Sequence, residues 1–404
     1  MKINVRAWIA GIVWLAGVPA FASVEVPLQI DTVTTLGGTQ KYAVGLYLSL
    51  GGTGSSPKLF QLDTGSGGVT AAYSDNLDNG VTQWWGSEVD TSSSVNGTTT
   101  FGGRTVQYDT AVAPVTFYDG ANGNALIQSQ PVTVAQGTSA TDSQGVTDWQ
   151  SQTEAGQPAL LGKYYGNFGA GLHAHSVTQG LFPVLAQMTN GEGNKLRGYV
   201  IHLGNLATTQ DPTLTLYFDS DFADGNNPVA DFTLTTGLTQ DGNVIPTTGY
   251  ATTSGDPLAV QAFEVGGVIQ DADAPYSALA DTGGLSLATP NANGIYDGMI
   301  DENGNFDPDL AFLLTLMGTD DEAFTLGFTT GEEQSINQLT ATDENSDLNI
   351  GLALYNYYDV YFDAANSTMS FRPLNIPEPS TVALPSGLAV FGAALLLRRR
   401  TRSS

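Results

Sequence analysis

The sequence predicts a mainly β fold with a few short helices. Short runs rich in Val, Thr, Tyr and Phe alternate with polar residues, and Gly, Asn, Asp and Ser separate the runs, which is typical of strands joined by turns. Stretches with the 3.6-residue period of an amphipathic helix are few. An Asp-Thr-Gly triplet occurs twice in similar surroundings, at 63–65 and at 281–283, which indicates two β-rich halves.

Six runs of strand-like residues extend through the chain. They lie at 41–50, 104–118, 196–204, 214–220, 260–269 and 358–373. We expect the last run to form a hairpin, because apolar residues alternate with polar ones on both sides of its central DAANS turn. The apolar positions of this hairpin are Val360, Phe362, Met369 and Phe371.

Two stretches are expected to be helical, and two others to be loops. The helical stretches are LFPVLAQM at 181–188 and PDLAFLLTLM at 308–317. The polar, glycine-rich stretches at 119–162 and 319–347 are interpreted as surface insertions. A boundary between the two halves is expected near 204–212, where LGNLATTQDP interrupts two strand-like runs.

The first 22 residues have the order of a secretory signal. The chain has 404 residues and begins with Lys2 and Arg6 in a basic segment, followed by a mostly apolar run and by Ala20-Phe21-Ala22. This order predicts export, with cleavage after Ala22. An N-terminal membrane anchor is the alternative, which the shortness of the apolar run disfavours.

The last residues of the chain have the features of a sorting tail. Residues 377–404 contain Pro-Glu-Pro-Ser, an apolar span at 381–397 and a cluster of four arginines. This order resembles the PEP-CTERM tail of Gram-negative bacteria. The resemblance implies processing by an exosortase, transient anchoring of the segment in the inner membrane, and a body at the cell surface or outside the cell. An ordinary C-terminal anchor is the alternative.

The charge and the composition exclude several classes of function. Removing both ends lowers Lys and Arg from 13 to 7 and Asp and Glu from 40 to 39, which leaves a net charge of about −32. Such a charge disfavours nucleic-acid binding, which needs a basic surface. The chain has no cysteine, so disulfides, cysteine catalysis and thiolate metal sites are excluded. The acidic stretch 300–312 lacks the glycine and glutamate of an EF-hand, and a solvated loop is expected there.

The repeated triplet supplies the predicted catalytic residues. Each copy follows a short apolar alternation and leads through glycine into an apolar-containing strand. The glycines allow a tight turn and let two such loops approach closely, and the threonines can hydrogen-bond across to the opposing loop. The predicted catalytic pair is Asp63 and Asp281. Its predicted supporting residues are Thr64, Gly65, Ser66, Thr282 and Gly283.

Two carboxyl groups at close range can perform acid–base chemistry on a peptide bond. They cannot both ionise easily, so one of them keeps its proton. The ionised carboxylate can then take a proton from a water molecule held between them, while the protonated group donates to the substrate carbonyl oxygen. The pattern therefore indicates hydrolysis of a polypeptide without a metal ion, a cofactor or a covalent intermediate.

These features resemble the pepsin-like aspartic peptidases over most of residues 28–373. The stretch 348–373 is also similar to the closing segment of that family, with Ile350-Gly351 as its hydrophobic-glycine pair. The matching positions in the strand that follows are Tyr358, Val360, Phe362, Asp363 and Asn366. The corresponding element of the first half is expected within 168–188, with Gly171, or the nearly equivalent Gly169, as its glycine.

The resemblance implies a two-lobe β fold with a cleft between the lobes. The N-terminal lobe is expected at 23–205 and the C-terminal lobe at 206–376, each with one Asp-Thr-Gly loop. A flap hairpin over the cleft is expected at 96–108, with Phe101 where the family has a tyrosine. A position in the core is the alternative for Phe101.

Three positions depart from the family pattern. Ser66 follows the first triplet and can bond the catalytic carboxylate, whereas Gly284 follows the second triplet and cannot. Phe101 has no hydroxyl, and Thr70 stands where the family usually has the tryptophan that bonds the flap tyrosine. These departures put the usual hydrogen-bond network around the pair in doubt.

The function that the resemblance implies is an exported, surface-sorted aspartic endopeptidase that works as a monomer on polypeptide substrates. The alternative is a protein of the same fold without catalysis. Such a protein would bind extracellular peptide or polysaccharide, or belong to an extracellular matrix associated with exopolysaccharide. The departures motivate this alternative, and the two intact triplets favour the enzyme.

Overall fold

A computed structural model describes residues 23–374 with internal exceptions. The exceptions are 36–37, 39, 53, 76–82, 102, 143–144, 173–179, 205–210, 219–229, 235–257, 272–275, 285–286, 292–293, 320–321, 332–334 and 343–347. The expected export signal and sorting tail lie outside the described residues. Within the described ranges, no helix is both long and apolar enough to cross a bilayer.

Strands dominate the described part of the chain, which confirms the mainly β class. The helices are α1 (Trp149–Glu154), α2 (Val184–Gln187) and α3 (Gly351–Tyr355). The strands are, in chain order, β1 (Ser23–Pro27), β2 (Gln29–Thr34), β3 (Gln40–Leu50), β4 (Lys58–Asp63), β5 (Gly67–Ala72), β6 (Asn96–Phe101), β7 (Arg104–Ala113), β8 (Val115–Tyr118), β9 (Ala125–Gln128), β10 (Val132–Asp142), β11 (Gly145–Asp148), β12 (Gly166–Ala170), β13 (Leu196–His202), β14 (Thr213–Phe218), β15 (Ala230–Thr233), β16 (Leu258–Val265), β17 (Val268–Asp271), β18 (Ser277–Leu279), β19 (Leu287–Pro290), β20 (Ala311–Met317), β21 (Ala323–Thr329), β22 (Leu339–Thr342), β23 (Leu348–Asn349), β24 (Tyr358–Asp363) and β25 (Thr368–Pro373).

The largest sheet among the described strands carries the first Asp-Thr-Gly loop. Nine of its eleven strands follow the order β6-β7-β10-β5-β12-β4-β3-β8-β9, with β2 beside β3 and β11 beside β10. Strand β4 ends at Asp63 and pairs with β3 on one side and with β12 on the other. Because β12 runs parallel to β4, it brings Gly169 opposite Asp63 and Asn167 opposite Gln61.

A second sheet, of eight described strands, carries the other loop in a similar way. Seven of its strands follow the order β21-β20-β16-β18-β23-β19-β22, and β17 lies beside β16. Strand β18 ends two residues before Asp281, and β23 runs parallel to it and brings Asn349 opposite Leu279. Each Asp-Thr-Gly loop therefore follows a strand that has a parallel neighbour from a later part of the same half.

The third sheet joins strands from both halves of the chain. Its order is β1-β14-β13-β24-β25-β15, so that β1 and β13 come from before residue 205 and the others from after it. The boundary expected at 205/206 thus falls between β13 and β14, which pair with each other. The largest core cluster contains buried side chains of all three sheets, among them Phe60, Tyr199 and Phe263.

The closing hairpin predicted at 358–373 is confirmed. Strands β24 and β25 are antiparallel, with Val360 opposite Phe371 and Phe362 opposite Met369. All four of these side chains are buried. Phe362 stacks on Tyr199 of the neighbouring strand β13, with ring centroids 4.7 Å apart, so this hairpin is a buried part of the sheet that joins the halves.

Three predictions of secondary structure are wrong and a fourth is right only in part, and the tertiary partners explain why. The helix expected at 308–317 is strand β20, which pairs with β16 and β21 and buries Phe312, Leu314 and Leu316 along one face. The stretch 119–162 is not a surface insertion, because it contains β10, which lies between β5 and β7 inside the largest sheet. The stretch 319–347 likewise contains β21 and β22, and only 184–187 of the other predicted helix is helical.

Candidate active site

The two Asp-Thr-Gly loops meet through their threonines. The backbone N–H of Thr64 donates to Oγ1 of Thr282 at 3.0 Å, and the N–H of Thr282 donates to Oγ1 of Thr64 at 2.9 Å. Each hydroxyl in turn donates to the backbone of the opposing strand, Thr64 to Ala280 O at 2.5 Å and Thr282 to Leu62 O at 3.0 Å. Four hydrogen bonds between buried groups therefore hold the loops in one relative position.

The glycines of the triplets are required by the closeness of the loops. A Cβ atom on Gly65 would lie 2.5 Å from Cγ of Asp281, and a Cβ atom on Gly283 would lie 2.4 Å from Cγ of Asp63. The carboxyl group of each triplet thus lies against the glycine of the opposite loop. Any side chain at these two positions would displace the carboxyl groups.

The two carboxyl groups converge on one backbone N–H. Gly65 N donates to Oδ1 of Asp63 at 2.9 Å and to Oδ1 of Asp281 at 3.2 Å. We call these two Oδ1 atoms the inner oxygens. Gly283 N also donates to Oδ1 of Asp281, at 2.8 Å. The structure therefore brings the predicted pair into direct contact.

The remaining oxygens, the outer oxygens, accept hydrogen bonds from side chains. Oδ2 of Asp63 accepts from Ser66 Oγ and from Asn167 Nδ2, both at 2.8 Å. Oδ2 of Asp281 accepts from Asn349 Nδ2, also at 2.8 Å. Ser66 is where the sequence placed it, whereas the sequence reasoning missed both asparagines.

Burial and mutual repulsion raise the pKa of Asp63 to about 7 from its ordinary value of 3.8. Burial of the carboxyl group raises the pKa most, and the charge of Asp281 and the hydrogen bond between the two groups raise it further. The hydrogen bonds from Asn167 and Ser66 lower the pKa of Asp63 but do not compensate for burial. The pair therefore keeps a proton from acid pH up to about neutral pH.

The two asparagines occupy equivalent places in the two halves. Asn167 lies opposite Gln61, two residues before Asp63, and Asn349 lies opposite Leu279, two residues before Asp281. Both parallel strands thus place an amide beside a carboxyl group of the pair. The equivalence follows from strand register and not from the spacing of the residues along the chain.

The same register corrects one detail of the sequence analysis. The glycine of the first half that corresponds to Gly351 is Gly169, because each follows the equivalent asparagine by two residues. The expectation that Gly171 is the corresponding glycine is therefore wrong. The signal that could have identified the asparagines is the shared pattern Asn-hydrophobic-Gly at 167–169 and 349–351.

The carboxyl pair opens into a cavity of about 500 Å³. The β6–β7 hairpin predicted at 96–108 is present, and Phe101 near its tip lines this cavity. Phe101 also belongs to a small hydrophobic cluster and packs on Trp149 of α1, with ring centroids 6.2 Å apart. Phe101 therefore both lines the cavity and packs in the hydrophobic interior. Thr70 is buried in β5.

The described residues contain no group of three or more His, Asp or Glu side chains placed to hold a metal ion. In the acidic stretch 300–312, the carboxylate of Asp301 accepts hydrogen bonds from Asn303 and Asn305 of its own turn. His202 lies away from the pair and contacts the carboxylate of Asp359 at 2.5 Å.

No protein-family model matches the chain, and a search of curated proteins found no match. A function is therefore argued from the geometry and the chemistry of the site itself.

Replacing Thr282 by valine should destabilise the protein. The change removes the acceptor for Thr64 N and the donor to Leu62 O in a buried contact between the two loops. We expect the free energy of unfolding to fall by about 2–4 kcal/mol in urea titrations. Thr105→Val, at an exposed position of β7, is the matched control and should change it by less than about 0.5 kcal/mol. Equal effects of the two changes would contradict the role of the cross-loop bonds.

Replacing Asp63 by asparagine should remove a pH dependence of stability. Between about pH 4 and 7 the folded wild type binds a proton at Asp63 that the unfolded chain has lost. The free energy of unfolding of the wild type should therefore decrease with rising pH in this window, relative to that of Asp63→Asn. The change should reach roughly 4 kcal/mol at neutral pH. Urea titrations of both proteins at several pH values measure it, and a constant difference would contradict the raised pKa.

Proposed function

We propose that the chain is an aspartic endopeptidase of the pepsin-like type, with Asp63 and Asp281 as its catalytic pair. The observation that carries this proposal is the convergence of both inner oxygens on the N–H of Gly65, in a buried site that raises the pKa of Asp63 to about 7. One proton shared by two carboxyl groups is what general acid–base hydrolysis of an amide requires.

In the proposed reaction, a water molecule lies between the two carboxyl groups. The ionised group takes a proton from the water as its oxygen attacks the carbonyl carbon of the substrate, and the protonated group donates its proton to the carbonyl oxygen. The group that took the water proton then donates it to the leaving nitrogen as the C–N bond breaks, and the other carboxylate takes a proton from one hydroxyl of the tetrahedral intermediate. The products are a carboxylic acid and an amine, and the pair returns to its singly protonated state.

A two-lobe arrangement is part of the proposal. The eleven-stranded sheet is then the main part of the N-terminal lobe at 23–205, and the eight-stranded sheet that of the C-terminal lobe at 206–376. The six-stranded sheet connects them, because it takes strands from both. The cavity at the carboxyl pair is then the substrate cleft, with Phe101 on the flap side.

The proposed substrate is a polypeptide, and the proposed location is the cell surface or the extracellular space. The cleft supports the first point, because apolar side chains of Phe101, Leu160 and Leu161 line it together with the carboxyl pair. The second point rests on the sequences of the two ends alone, as do the exosortase and the transient membrane anchor.

Cleavage of an unfolded protein tests the proposal. We expect the wild type to cleave denatured casein between pH 3 and 7, and pepstatin, a transition-state mimic for aspartic peptidases, to block the cleavage. Asp63→Asn should lower kcat/KM by a factor on the order of 10⁴, because the acid–base pair is lost. Asp211→Asn, which removes the charge of an exposed carboxylate, is the matched control and should leave the rate unchanged.

The opposite result is also clear. A folded wild type that cleaves nothing at any pH between 3 and 7 would contradict the peptidase. It would favour the alternative, a protein of the same fold that binds peptide or polysaccharide outside the cell. Residual activity of Asp63→Asn equal to that of Asp211→Asn would show that any cleavage comes from elsewhere.

A further inference from the structure

We propose that the amide of Asn349 replaces the hydroxyl that Gly284 lacks, and that Asn349 and Asn167 together keep the proton of the catalytic pair between the two inner oxygens. The inference rests on the proposed function and gives two positioning residues for it. It also explains why the second triplet is followed by glycine.

The space beside Gly284 is already occupied. A Cβ atom on this residue would lie 2.4 Å from Nδ2 and 2.8 Å from Cγ of Asn349. A side chain at position 284 and the asparagine at 349 therefore exclude each other. Glycine at 284 is the condition for the amide to reach the outer oxygen of Asp281, where a serine hydroxyl would otherwise lie.

The orientation of the Asn349 amide is fixed at both of its ends. Oδ1 accepts from the backbone N–H of Gly351 at 2.7 Å, which leaves Nδ2 facing the carboxylate of Asp281. Gly351 has a φ of +54°, in the left-handed region, just where α3 begins. The backbone conformation at Gly351 thus orients its N–H toward Oδ1 of Asn349.

In the first half of the chain, Asn167 determines the direction in which the Ser66 hydroxyl donates. Its Nδ2 donates to the outer oxygen of Asp63 and also to Oγ of Ser66, both at 2.8 Å. Because Ser66 Oγ accepts this bond, its own proton is directed to Asp63. The hydroxyl, which could otherwise either donate or accept, therefore acts as a donor.

An amide nitrogen only donates, and this decides where the shared proton can lie. The lone pairs of the outer oxygens that face Ser66, Asn167 and Asn349 are occupied by these donors. The inner oxygens also accept backbone N–H groups, from Gly65 in both cases and from Gly283 for Asp281, but it is on this side that the two carboxyl groups converge and one can accept a proton from the other. The proton therefore stays between the carboxyl groups, on the side where the water and the substrate bind in the proposed reaction.

A residue swap tests this proposal in the purified full-length protein. The variants are Asn349→Ala, Gly284→Ser and the double variant with both changes. We expect Asn349→Ala to lower kcat about 10- to 100-fold with little change in KM, because the ionised pair loses a hydrogen-bond donor. The acid limb of its kcat/KM profile should move to higher pH. Gly284→Ser alone should also lose activity, since its side chain displaces the amide.

The double variant gives the decisive comparison. Its serine can occupy the space that the asparagine has vacated, so we expect kcat at least tenfold above that of Asn349→Ala and an acid limb restored toward the wild-type position. A double variant with activity no higher than the weaker single variant would overturn the proposal. So would an Asn349→Ala profile identical to that of the wild type.

The same three variants separate this inference from the proposed function. If the wild type cleaves nothing, the peptidase proposal fails, and the swap is then judged by urea midpoints at pH 4 and 7. Asn349→Ala should lose more stability at pH 7, where the pair is more ionised, and the double variant should recover it. A double variant that folds where a single variant does not would support the swap. One no more stable than the less stable single variant would overturn it.

Discussion

The close approach of two loops is the constraint on which the rest of the site depends. Each carboxyl group lies where a side chain on the opposing loop would have to be, and only glycine leaves that space. The reciprocal hydrogen bonds of Thr64 and Thr282 keep the two loops at this close approach. The hydroxyl of Tyr355 on α3 also donates to Ala280 O, next to the second loop, so the closing segment of the chain supports the loops as well.

Because the two carboxyl groups are close together and buried, they retain one proton between them. In water two carboxyl groups at this distance would both ionise near neutral pH, but a buried pair loses hydration and repels strongly. Ser66 and Asn167 donate to Asp63, which favours its ionised form, yet the pKa of this group stays raised. The balance leaves one acid and one base in the same pH range, which is the property that the proposed reaction uses.

The local pattern of the chain predicts part of this arrangement. Asp63 and Asp281 could be identified because the triplet is short and its chemistry depends on neighbours within three residues. The shared pattern at 167–169 and 349–351 marks Asn167 and Asn349 only as a repeat and does not reveal their contact with the carboxyl groups, because parallel pairing of β12 and β23 brings them to the loops from more than 60 residues away. The prediction of a helix at 308–317 is wrong for a related reason. The leucine-rich run is compatible with a helix, and only its pairing with β16 and β21 determines that it is strand β20.

A titration of the aspartate carboxyl carbons by ¹³C NMR measures whether the two carboxyl groups share one proton. We expect a shared proton to give one carboxyl resonance of the folded wild type that titrates near pH 7 and is absent from Asp63→Asn. A spectrum in which every aspartate of the folded wild type has finished titrating below about pH 5, close to ordinary carboxyl behaviour, would contradict it.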